Sequence, residues 1–239
     1  MNDFDYNLIK KYVPKEKQEQ AIIKLQSGYP IQYIIGNVDF YNSLIEVNEN
    51  VLIPRFETEY LVEKTLKLMK EYNFIRPNVL DIGTGSGAIA IALKKAYECQ
   101  MDAIDISQDA ITLAQKNALN NGVDINFEQM KIEDYNPFKK YDVIISNPPY
   151  IPFDGIVDEK TKYEPDIALY APEDGLYFYR IILEKAQLFL NKHSLIAFEI
   201  GFNQANQVKQ LILKYFPNAK VICENDLNGY NRYVYAINE

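Results

Sequence analysis

The sequence predicts an α/β protein built around a mainly parallel β-sheet with helices on both faces. From residue 79 onward, short apolar runs that end at turn residues alternate with amphipathic stretches of helical length. This alternation favours parallel strands joined by helical crossovers. Near the end of the chain, two apolar runs are separated only by the loop 225–229, so we expect an antiparallel hairpin at one edge of the sheet.

The N-terminal part of the chain precedes this sheet and is small for an independent core, so we expect it to pack on the main domain. Residues 1–27 carry apolar residues at helical spacing, and Pro14 divides them into two short helices. Gly28 ends the second helix and begins a turn-rich bridge. Residues 37–53 alternate between apolar and polar residues, which predicts a hairpin with its turn near Asn42. We expect a small helical domain over residues 1–35, a β-hairpin linker over residues 36–53 and the main domain over residues 54–239.

The elements of the main domain follow from the same patterns. The predicted helices cover residues 54–72, 88–96, 108–121, 175–190 and 205–215. The predicted strands cover residues 79–82, 101–105, 125–130, 143–146, 195–200, the vicinity of 221, and 233–237. A long loop over residues 150–174 precedes the fourth of these helices.

Composition limits the classes of function. The net charge of −8 over 239 residues disfavours a protein whose main task is to grip phosphate backbones, so we expect no stable nucleic-acid binding. No run approaches the roughly 20 apolar residues of a membrane span, and the N-terminus lacks the apolar core of a signal peptide. We therefore expect a cytoplasmic protein without a membrane partner.

The cysteine and histidine residues give no support for a metal site. Cys99 and Cys223 are the only cysteines, and both lie in or beside strand-like runs, as reduced structural thiols do. The single histidine, His193, lies in a polar turn and is expected at the surface. We expect no metal, and a Ser-His-Asp triad likewise has no support in the sequence.

A glycine-rich segment, Asp81-Ile-Gly-Thr-Gly-Ser-Gly87, lies between a predicted strand and a predicted helix. Glycines here allow a tight turn and a close approach to a ligand, and the helix N-terminus offers free N–H groups. Asp105 ends the next strand, where an acidic residue accepts hydrogen bonds from ribose hydroxyls. Together these features indicate an adenosine-containing ligand, although the glycine segment alone is also typical of a plain tight turn.

The glycine spacing by itself leaves the identity of the ligand open. A strict G-x-G-x-x-G motif from Gly83 needs a third glycine where this chain has Ala88. The looser dinucleotide form tolerates alanine there, so the spacing does not exclude a nicotinamide cofactor. No Gly-Lys-Ser/Thr sequence is present, which excludes a P-loop.

The segment Ser146-Asn-Pro-Pro-Tyr150 follows an apolar run that predicts a buried strand. Two consecutive prolines cannot continue a strand, because they lack N–H donors and restrict the residue before them. The chain therefore leaves the sheet in a rigid turn that presents the carboxamide of Asn147 and the carbonyls of Pro148 and Pro149. Rigid acceptors beside the ring of Tyr150 suit a planar –NH2 group; the alternative is an ordinary loop after a strand.

The glycine segment resembles the first motif of class I S-adenosylmethionine-dependent methyltransferases, whose sheet is Rossmann-like. In that family the glycine loop lies beside the methionine part of the cofactor. The resemblance implies that the cofactor is bound by Gly83, Thr84, Gly85, Ser86, Gly87, Asp105, Ile106, Asp134, Tyr135 and Asn147. Asp134 is expected to accept from the adenine amine and Tyr135 to stack on the ring; the alternative for Asp134 is a solvated loop acid.

The Asn-Pro-Pro-Tyr turn resembles the fourth motif of the methyltransferases that act on planar nitrogens: adenine N6, guanine N2 or the glutamine side-chain amide. Such a nitrogen is a poor nucleophile because its lone pair is delocalised. The resemblance implies that Asn147 Oδ1 and the Pro148 carbonyl each accept one N–H and orient the nitrogen towards the methyl group. We expect Asn147, Pro148, Pro149 and Tyr150 to be the catalytic and acceptor-binding residues, with no strong base.

Longer segments are similar to the release factor glutamine methyltransferases, in that family's order. They cover residues 28–36, 51–59, 147–151, 163–165, 174–176, 198–201 and 226–232. The resemblance implies methyl transfer from S-adenosylmethionine to the glutamine of the Gly-Gly-Gln motif in peptide chain release factors, in support of translation termination. S-adenosylhomocysteine would be the product, and we expect the enzyme to be a monomer.

Two features near the start of the main domain affect this interpretation. Arg55 and Glu57 belong to one of the similar segments and are expected to bind the substrate, although a structural role beside a helix N-terminus is equally open. The family usually has proline where this chain has Phe56, so the entry to the helix is expected to differ. The N-terminal domain, which the resemblance implies contacts the release factor, is shorter than usual.

Two other functions are compatible with parts of this pattern. A DNA adenine or RNA guanine methyltransferase shares both motifs, but the negative charge and the lack of a segment to hold an unstacked base argue against it. A cofactor-binding module without catalytic activity is the alternative of a different class. The presence of an Asn-Pro-Pro-Tyr turn in addition to the glycine loop argues against that module.

Overall fold

The predicted sheet forms the centre of the structure, a computed structural model that describes residues 3–155 and 159–239. Residues 1–2 of the predicted helical domain and residues 156–158 of the predicted loop lie outside the described residues. The helices are α1 (Asp3–Tyr12), α2 (Gln18–Gln26), α3 (Ile31–Ile35), α4 (Phe56–Glu71), α5 (Ala88–Ala96), α6 (Gln108–Asn120), α7 (Asp166–Leu169), α8 (Tyr177–Phe189) and α9 (Ala205–Tyr215). The strands are β1 (Asn37–Phe40), β2 (Ser43–Glu46), β3 (Asn78–Ile82), β4 (Gln100–Asp105), β5 (Asn126–Gln129), β6 (Tyr141–Ser146), β7 (Ile151–Pro152), β8 (Tyr170–Ala171), β9 (Leu190–Glu199), β10 (Lys220–Asn225) and β11 (Asn231–Asn238).

Within the described part of the chain, the main sheet has the strand order β10-β11-β9-β6-β3-β4-β5. The strands from β9 to β5 pair in parallel, whereas β11 pairs antiparallel with both β9 and β10. The mainly parallel sheet and its antiparallel edge hairpin are therefore confirmed. Because β4 and β6 lie on opposite sides of β3, the order of the strands reverses at β3.

Successive residues of the central strands face opposite sides of the sheet. Val79 and Val143 belong to a hydrophobic cluster that includes residues of α4, α5 and α6. Their neighbours Leu80 and Ile144 belong to a second cluster that includes residues of α8 and α9. Helices thus cover both faces, which explains why these strands are apolar at successive positions instead of alternating.

The structure differs from the predicted elements in short segments. The bridge over residues 28–36 contains the helix α3, which follows Pro30 and ends at Gly36 with a φ of 77°. The predicted loop 150–174 contains the strand pair β7–β8, the helix α7 and a 3₁₀ turn at Glu159–Tyr163. Strand β9 begins at Leu190, earlier than the predicted residue 195. Segments of two to five residues are too short to show the periodicity from which helices and strands are predicted.

The predicted linker hairpin packs on the main domain. Phe40, Ile45, Val47 and Val51 are buried in the same hydrophobic cluster as residues of α4, α5 and α6. The N-terminal helices α1, α2 and α3 contact one another, and α3 also contacts β1. Ile9 in α1 is fully buried. The division of the chain into three domains stays a prediction.

A buried asparagine connects the hairpin to the main domain. The carboxamide of Asn117 in α6 donates to the backbone carbonyls of Glu46 and Ser86, both at 2.9 Å. Its Oδ1 accepts from the backbone N–H of Glu46 at 2.8 Å. Asn117 is fully buried, and so is its bond to the carbonyl of Ser86, which therefore has no access to water as a substitute partner. The two bonds to Glu46 are partly buried.

The structure also places the helices, cysteines and histidine that the sequence analysis discussed. None of the helices in residues 3–155 and 159–239 combines the length and apolar character needed to cross a bilayer. Both cysteines are free, with Cys99 buried and Cys223 exposed. The ring of His193 is stacked on Phe74, and its Nε2 lies 2.9 Å from the carbonyl oxygen of Tyr72.

Replacing Asn117 tests how firmly the hairpin is attached. We expect Asn117→Ala to lower the free energy of unfolding by about 3 kcal/mol, because a fully buried side chain loses three hydrogen bonds to backbone groups. Chemical denaturation monitored by circular dichroism measures this change. Asn120→Ala is the matched control, because Asn120 is exposed on the same helix and also bonds Glu46, at the side-chain Oε1. Equal effects of the two substitutions would contradict the prediction.

Candidate active site

A cavity of about 260 Å³ lies at the carboxyl ends of the parallel strands. Its lining includes residues 83–86, 105–107, 130–133 and 147–149, which follow β3, β4, β5 and β6. It also includes Leu52, Pro54, Thr58, Ile167, Phe178 and Ile182. Open α/β sheets bind their ligands at this edge, at the point where the strand order reverses.

The glycine loop turns sharply at the end of β3. Gly83 and Gly85 have φ values of 73° and 54°, which side-chain-bearing residues avoid. The N–H of Gly83 donates to the carbonyl of Ile104 at 2.9 Å and ties the loop to the end of β4. Gly87 lies outside the cavity lining, and a Cβ there would approach Ala114 Cβ to 3.0 Å. Gly87 therefore serves the close packing of α5 on α6.

Asp105 lies beside the glycine loop at the end of β4. Its Oδ2 accepts from the N–H of Gly85, and its Oδ1 accepts from the N–H of Ser107, both at 2.9 Å. Burial raises the pKa of this carboxyl, while the backbone donors act in the opposite direction. Each oxygen can accept a further hydrogen bond, so the side chain retains capacity for hydroxyl donors. Ile106, the next residue, also lines the cavity.

A second acidic residue is buried at the base of the loop. Asp81 in β3 has no exposed surface, and its Oδ2 accepts from the hydroxyl of Thr84 at 2.7 Å. Burial raises the pKa of Asp81 to about 7, although the hydrogen bond from Thr84 lowers it. The charge of Asp105 adds to the upward shift. Asp81 therefore anchors the glycine loop through its hydrogen bond with Thr84.

The double-proline turn lies on the other side of β3. The hydroxyl of Ser146, fully buried at the end of β6, donates to the carbonyl of Ile82 at 2.6 Å. This bond joins the ends of β6 and β3, immediately before the two loops diverge. Asn147, Pro148 and Pro149 line the cavity, as do the glycine loop and Asp105. The structure thus brings the two predicted motifs to one cavity.

Tyr150 supports the turn from outside the cavity lining. Its backbone carbonyl accepts from Gln204 Nε2 at 3.1 Å, and Gln204 Oε1 accepts from the N–H of Gly201 at 2.9 Å. A Cβ at Gly175 would lie 2.4 Å from the same carbonyl oxygen. Burial raises the pKa of the half-buried Tyr150 to about 12. Tyr150 is therefore held by contacts to the segments before α8 and α9.

Two consecutive hydrogen bonds connect the carboxamide of Asn147 to Thr58 and Glu199. Asn147 Nδ2 donates to the hydroxyl of Thr58 at 3.4 Å, and that hydroxyl donates to Glu199 Oε2 at 2.7 Å. Thr58 lies in the first turn of α4, and Glu199 ends β9. Burial raises the pKa of Glu199 to about 7, although the Thr58 hydrogen bond and the nearby Arg232 lower it.

The structure places Asp134 and Tyr135 outside the cavity lining. A tight turn, with N–H groups of both residues donating to carbonyls three positions earlier, directs Ile132 and Glu133 to the cavity instead. Asp134 is exposed, whereas Tyr135 is buried with its hydroxyl 2.6 Å from that of Tyr141. Adjacent residues in a turn point in different directions, and composition alone does not reveal which residue faces the ligand.

Arg55 and Glu57 also lie outside the lining. Arg55 forms an ion pair with Glu164 and donates to the carbonyl of Ile53 at 3.1 Å. The backbone carbonyl of Glu57 accepts from the hydroxyl of Tyr233 at 2.7 Å. The ion pair of Arg55 corresponds to the structural role that the sequence left open, whereas the contact of Glu57 involves only its backbone.

Several lining residues were missed from sequence. Thr58 lies in one of the family-like segments, and this membership is the sequence signal that points to it. Phe178 and Ile182 have no local signal, because apolar residues of a helix usually pack in the core.

In residues 3–155 and 159–239, no group of three His, Cys, Asp or Glu side chains is arranged to hold a metal ion.

Comparison with known proteins identifies the class of this site. Residues 58–159 match the family model described as Methyltransferase small domain. A methyltransferase from Pyrococcus furiosus superimposes with a TM-score of 0.60 at 20% identity, over 92% of this chain and 98% of that one. A 16S rRNA methyltransferase of T. thermophilus, in complex with AdoMet and guanosine, superimposes with a TM-score of 0.62 at 13% identity. The superposition covers 85% of this chain and 50% of that one. The family match indicates a methyltransferase domain over residues 58–159, and the superpositions show a Rossmann-like fold.

Curated relatives define the family more closely. A release factor glutamine methyltransferase of Bacillus cereus is 40% identical over 92% of this chain and 82% of its own length. That of Streptococcus pneumoniae is 42% identical over 97% of this chain and 84% of its own length. The chain belongs to the release factor glutamine methyltransferase family, as its sequence motifs indicate.

The buried carboxyl of Asp81 gives a pH-dependent stability. Its folded pKa is raised, so its contribution to stability is present below about pH 4 and is lost as pH rises through about 7. Asn at this position cannot ionise. We expect the stability of Asp81→Asn relative to the wild type to increase between pH 4 and 8, by at most about 1.4 kcal/mol per pH unit.

Denaturant unfolding of the ligand-free proteins at several pH values measures this difference. Asp124→Asn is the control for loss of one negative charge, because Asp124 is exposed. A stability difference between Asp81→Asn and wild type that does not change with pH would show that Asp81 does not titrate in this range.

Proposed function

We propose that this chain transfers a methyl group from S-adenosylmethionine to the side-chain amide nitrogen of the glutamine in the Gly-Gly-Gln motif of peptide chain release factors, in support of translation termination. The observation that carries the proposal is the cavity that joins the glycine loop and Asp105 to the Asn147 turn. A methyl donor bound beside the glycine loop and a planar amide bound beside the turn would meet within this cavity. The name of the relatives supports glutamine as the acceptor.

We assign the cofactor to the wall formed by residues 83–86, Asp105 and Ile106. The oxygens of Asp105 suit ribose hydroxyls, and the exposed face of Ile106 suits the adenine ring. Glu133 lines the cavity where Asp134 was predicted to do so, and we assign contact with the adenine end to it. When bound, S-adenosylmethionine supplies an electrophilic methyl group. Gly87 and Tyr135 support this wall from outside it.

We assign the acceptor amide to the turn. Asn147 Oδ1 and the Pro148 carbonyl accept its two N–H groups, which directs the nitrogen lone pair towards the donor. Pro149 and Tyr150 keep the turn rigid, since proline fixes φ and the Tyr150 carbonyl is bonded to Gln204. No general base is needed, because the nitrogen becomes acidic once it is methylated. Arg55 and Glu57 support the segment that leads into α4.

We further propose that the helices within residues 1–35 contact the release factor, and that the enzyme acts as a cytoplasmic monomer without a metal or stable nucleic-acid binding. The net charge of −8 supports the last point, because nucleic-acid backbones are negatively charged. Exposed aromatic residues near the turn, Phe153 and Phe202, offer apolar surface for a protein partner.

The decisive experiment compares three acceptors with labelled S-adenosylmethionine. They are a purified release factor, the same factor with its Gly-Gly-Gln glutamine changed to alanine, and duplex DNA. We expect label on the intact factor alone. Label on DNA, or equal label on the alanine variant, would refute the glutamine assignment and favour a nucleic-acid base or another protein site.

The same assay tests the turn. Asn147→Ala should lower kcat about 100-fold or more, because one preorganised acceptor is lost. Asn218→Ala, in an exposed loop outside the cavity lining, should not change it.

Asp105 provides the test of cofactor binding. We expect Asp105→Ala to weaken the binding of S-adenosylhomocysteine about 10- to 100-fold, because charge-assisted hydrogen bonds are lost. Isothermal titration calorimetry measures the affinity, and Asp124→Ala is the control for charge. Retained affinity in Asp105→Ala would assign the ribose contact to another residue.

A further inference from the structure

The carboxamide of Asn147 has two ends with opposite hydrogen-bonding character. In the proposed function, on which this inference rests, only the Oδ1 end can accept an N–H of the acceptor amide. If the carboxamide turned over, Nδ2 would face the acceptor, donor against donor. Something must therefore hold the carboxamide in one orientation before the acceptor binds.

The hydrogen bonds behind Asn147 select that orientation. The Thr58 hydroxyl has one proton and donates it to Glu199 Oε2 at 2.7 Å. Towards Asn147 the same oxygen can only accept, and it lies 3.4 Å from Nδ2. With the carboxamide reversed, Oδ1 would face the Thr58 oxygen and neither atom would have a proton to share.

We propose that Thr58 and Glu199 are positioning residues that orient the carboxamide of Asn147, so that its Oδ1 faces the acceptor amide. Glu199 sets the direction of the Thr58 hydroxyl, and Thr58 in turn sets the direction of Asn147. The chain of bonds joins three separate elements, the start of α4, the end of β9 and the turn after β6.

The burial of Glu199 supports this role. Glu199 is only 3% exposed, and an ionised carboxylate in such a position is costly unless it accepts hydrogen bonds or pairs with a cation. A neutral residue would be the cheaper way to join α4 to β9. The carboxylate differs from a neutral group in one relevant respect, because its oxygens only accept and so force the hydroxyl proton of Thr58 towards them.

Protonation of Glu199 removes this constraint on the Thr58 hydroxyl. A carboxylic acid can donate to the Thr58 oxygen, which leaves the Thr58 proton free to bond Oδ1 of Asn147. Burial raises the pKa of Glu199 to about 7, so the orientation should be held above this pH and lost as pH falls through it.

Other charged groups face Glu199 from each element packed on it. Arg55 and Glu57 approach from the start of α4, and Arg232 approaches from β11. Four tyrosines also lie near it: Tyr150, Tyr179, Tyr233 and Tyr235. Burial raises the pKa of all four, so none of them ionises near neutral pH.

The kinetic test uses a matched pair of substitutions on one helix face. We expect Thr58→Val to lower kcat about 10- to 100-fold, because the acceptor is misoriented, while the affinity for S-adenosylhomocysteine changes less than about 2-fold. Thr58→Ser, which keeps the hydroxyl, should restore most of kcat. Thr65→Val is the control, because Thr65 is fully buried two turns along α4 and donates only to Leu61 of its own helix, at 2.7 Å.

A merely structural role for Thr58 predicts another pattern. In that case Thr58→Val and Thr65→Val would lower thermal stability and kcat alike, and Thr58→Ser would not restore kcat. Glu199→Gln provides the pH test. Wild-type kcat should rise with pH through about 7, and the rise should be absent in Glu199→Gln. A rise that persists in Glu199→Gln would overturn the inference.

The last measurement does not depend on the substrate. In the ligand-free protein, the side-chain amide NMR signals of Asn147, assigned by their loss in Asn147→Ala, should shift with a midpoint near pH 7. The shift should vanish in Glu199→Gln, and the signals should move in Thr58→Val but not in Thr65→Val. Signals insensitive to pH and to Thr58→Val would overturn the inference even if the release factor is methylated. The expected shifts would uphold it even if the release factor is not the acceptor.

Discussion

The parallel pairing of β3 with β6 is the constraint on which the site depends. Leu80 pairs with Ile144 and Asp81 with Ile145, so both strands end at the same edge of the sheet. The Ser146 hydroxyl closes the pair at its end. The glycine loop and the double-proline turn begin there and diverge to opposite walls of one cavity. A slip of one residue in this register would move every side chain of β6 to the other face and displace the turn.

The segment that follows the turn is held by segments that are distant in sequence. Glu164, buried in the segment after the turn, pairs with Arg55 and accepts from the N–H of Ile53 at 3.0 Å. Its neighbour Tyr163 donates to the carbonyl of Ser27 at 3.2 Å. The hairpin linker, the N-terminal helices and the segment after the turn are therefore connected by hydrogen bonds.

Two buried carboxyl groups play parallel parts on the two sides of the cavity. Asp81 bonds the hydroxyl of Thr84 below the glycine loop, and Glu199 bonds the hydroxyl of Thr58 behind the turn. Burial raises the pKa of each carboxyl to about 7. In each pair the threonine lines the cavity, whereas the carboxyl to which it donates lies outside the lining.

The sequence by itself determined the alternating strands and helices, the antiparallel edge, the family and the main motifs, because each depends on local periodicity, on turn residues or on short runs of residues. Only the tertiary structure decided that Glu133 lines the cavity in place of Asp134 and Tyr135, since a tight turn sets the direction of each side chain. It alone paired Thr58 with Glu199, which are 141 positions apart, because helix packing against the end of a strand leaves no local pattern. Backbone turns and strands follow from neighbouring residues, whereas side-chain contacts between distant segments exist only once the sheet has brought those segments together.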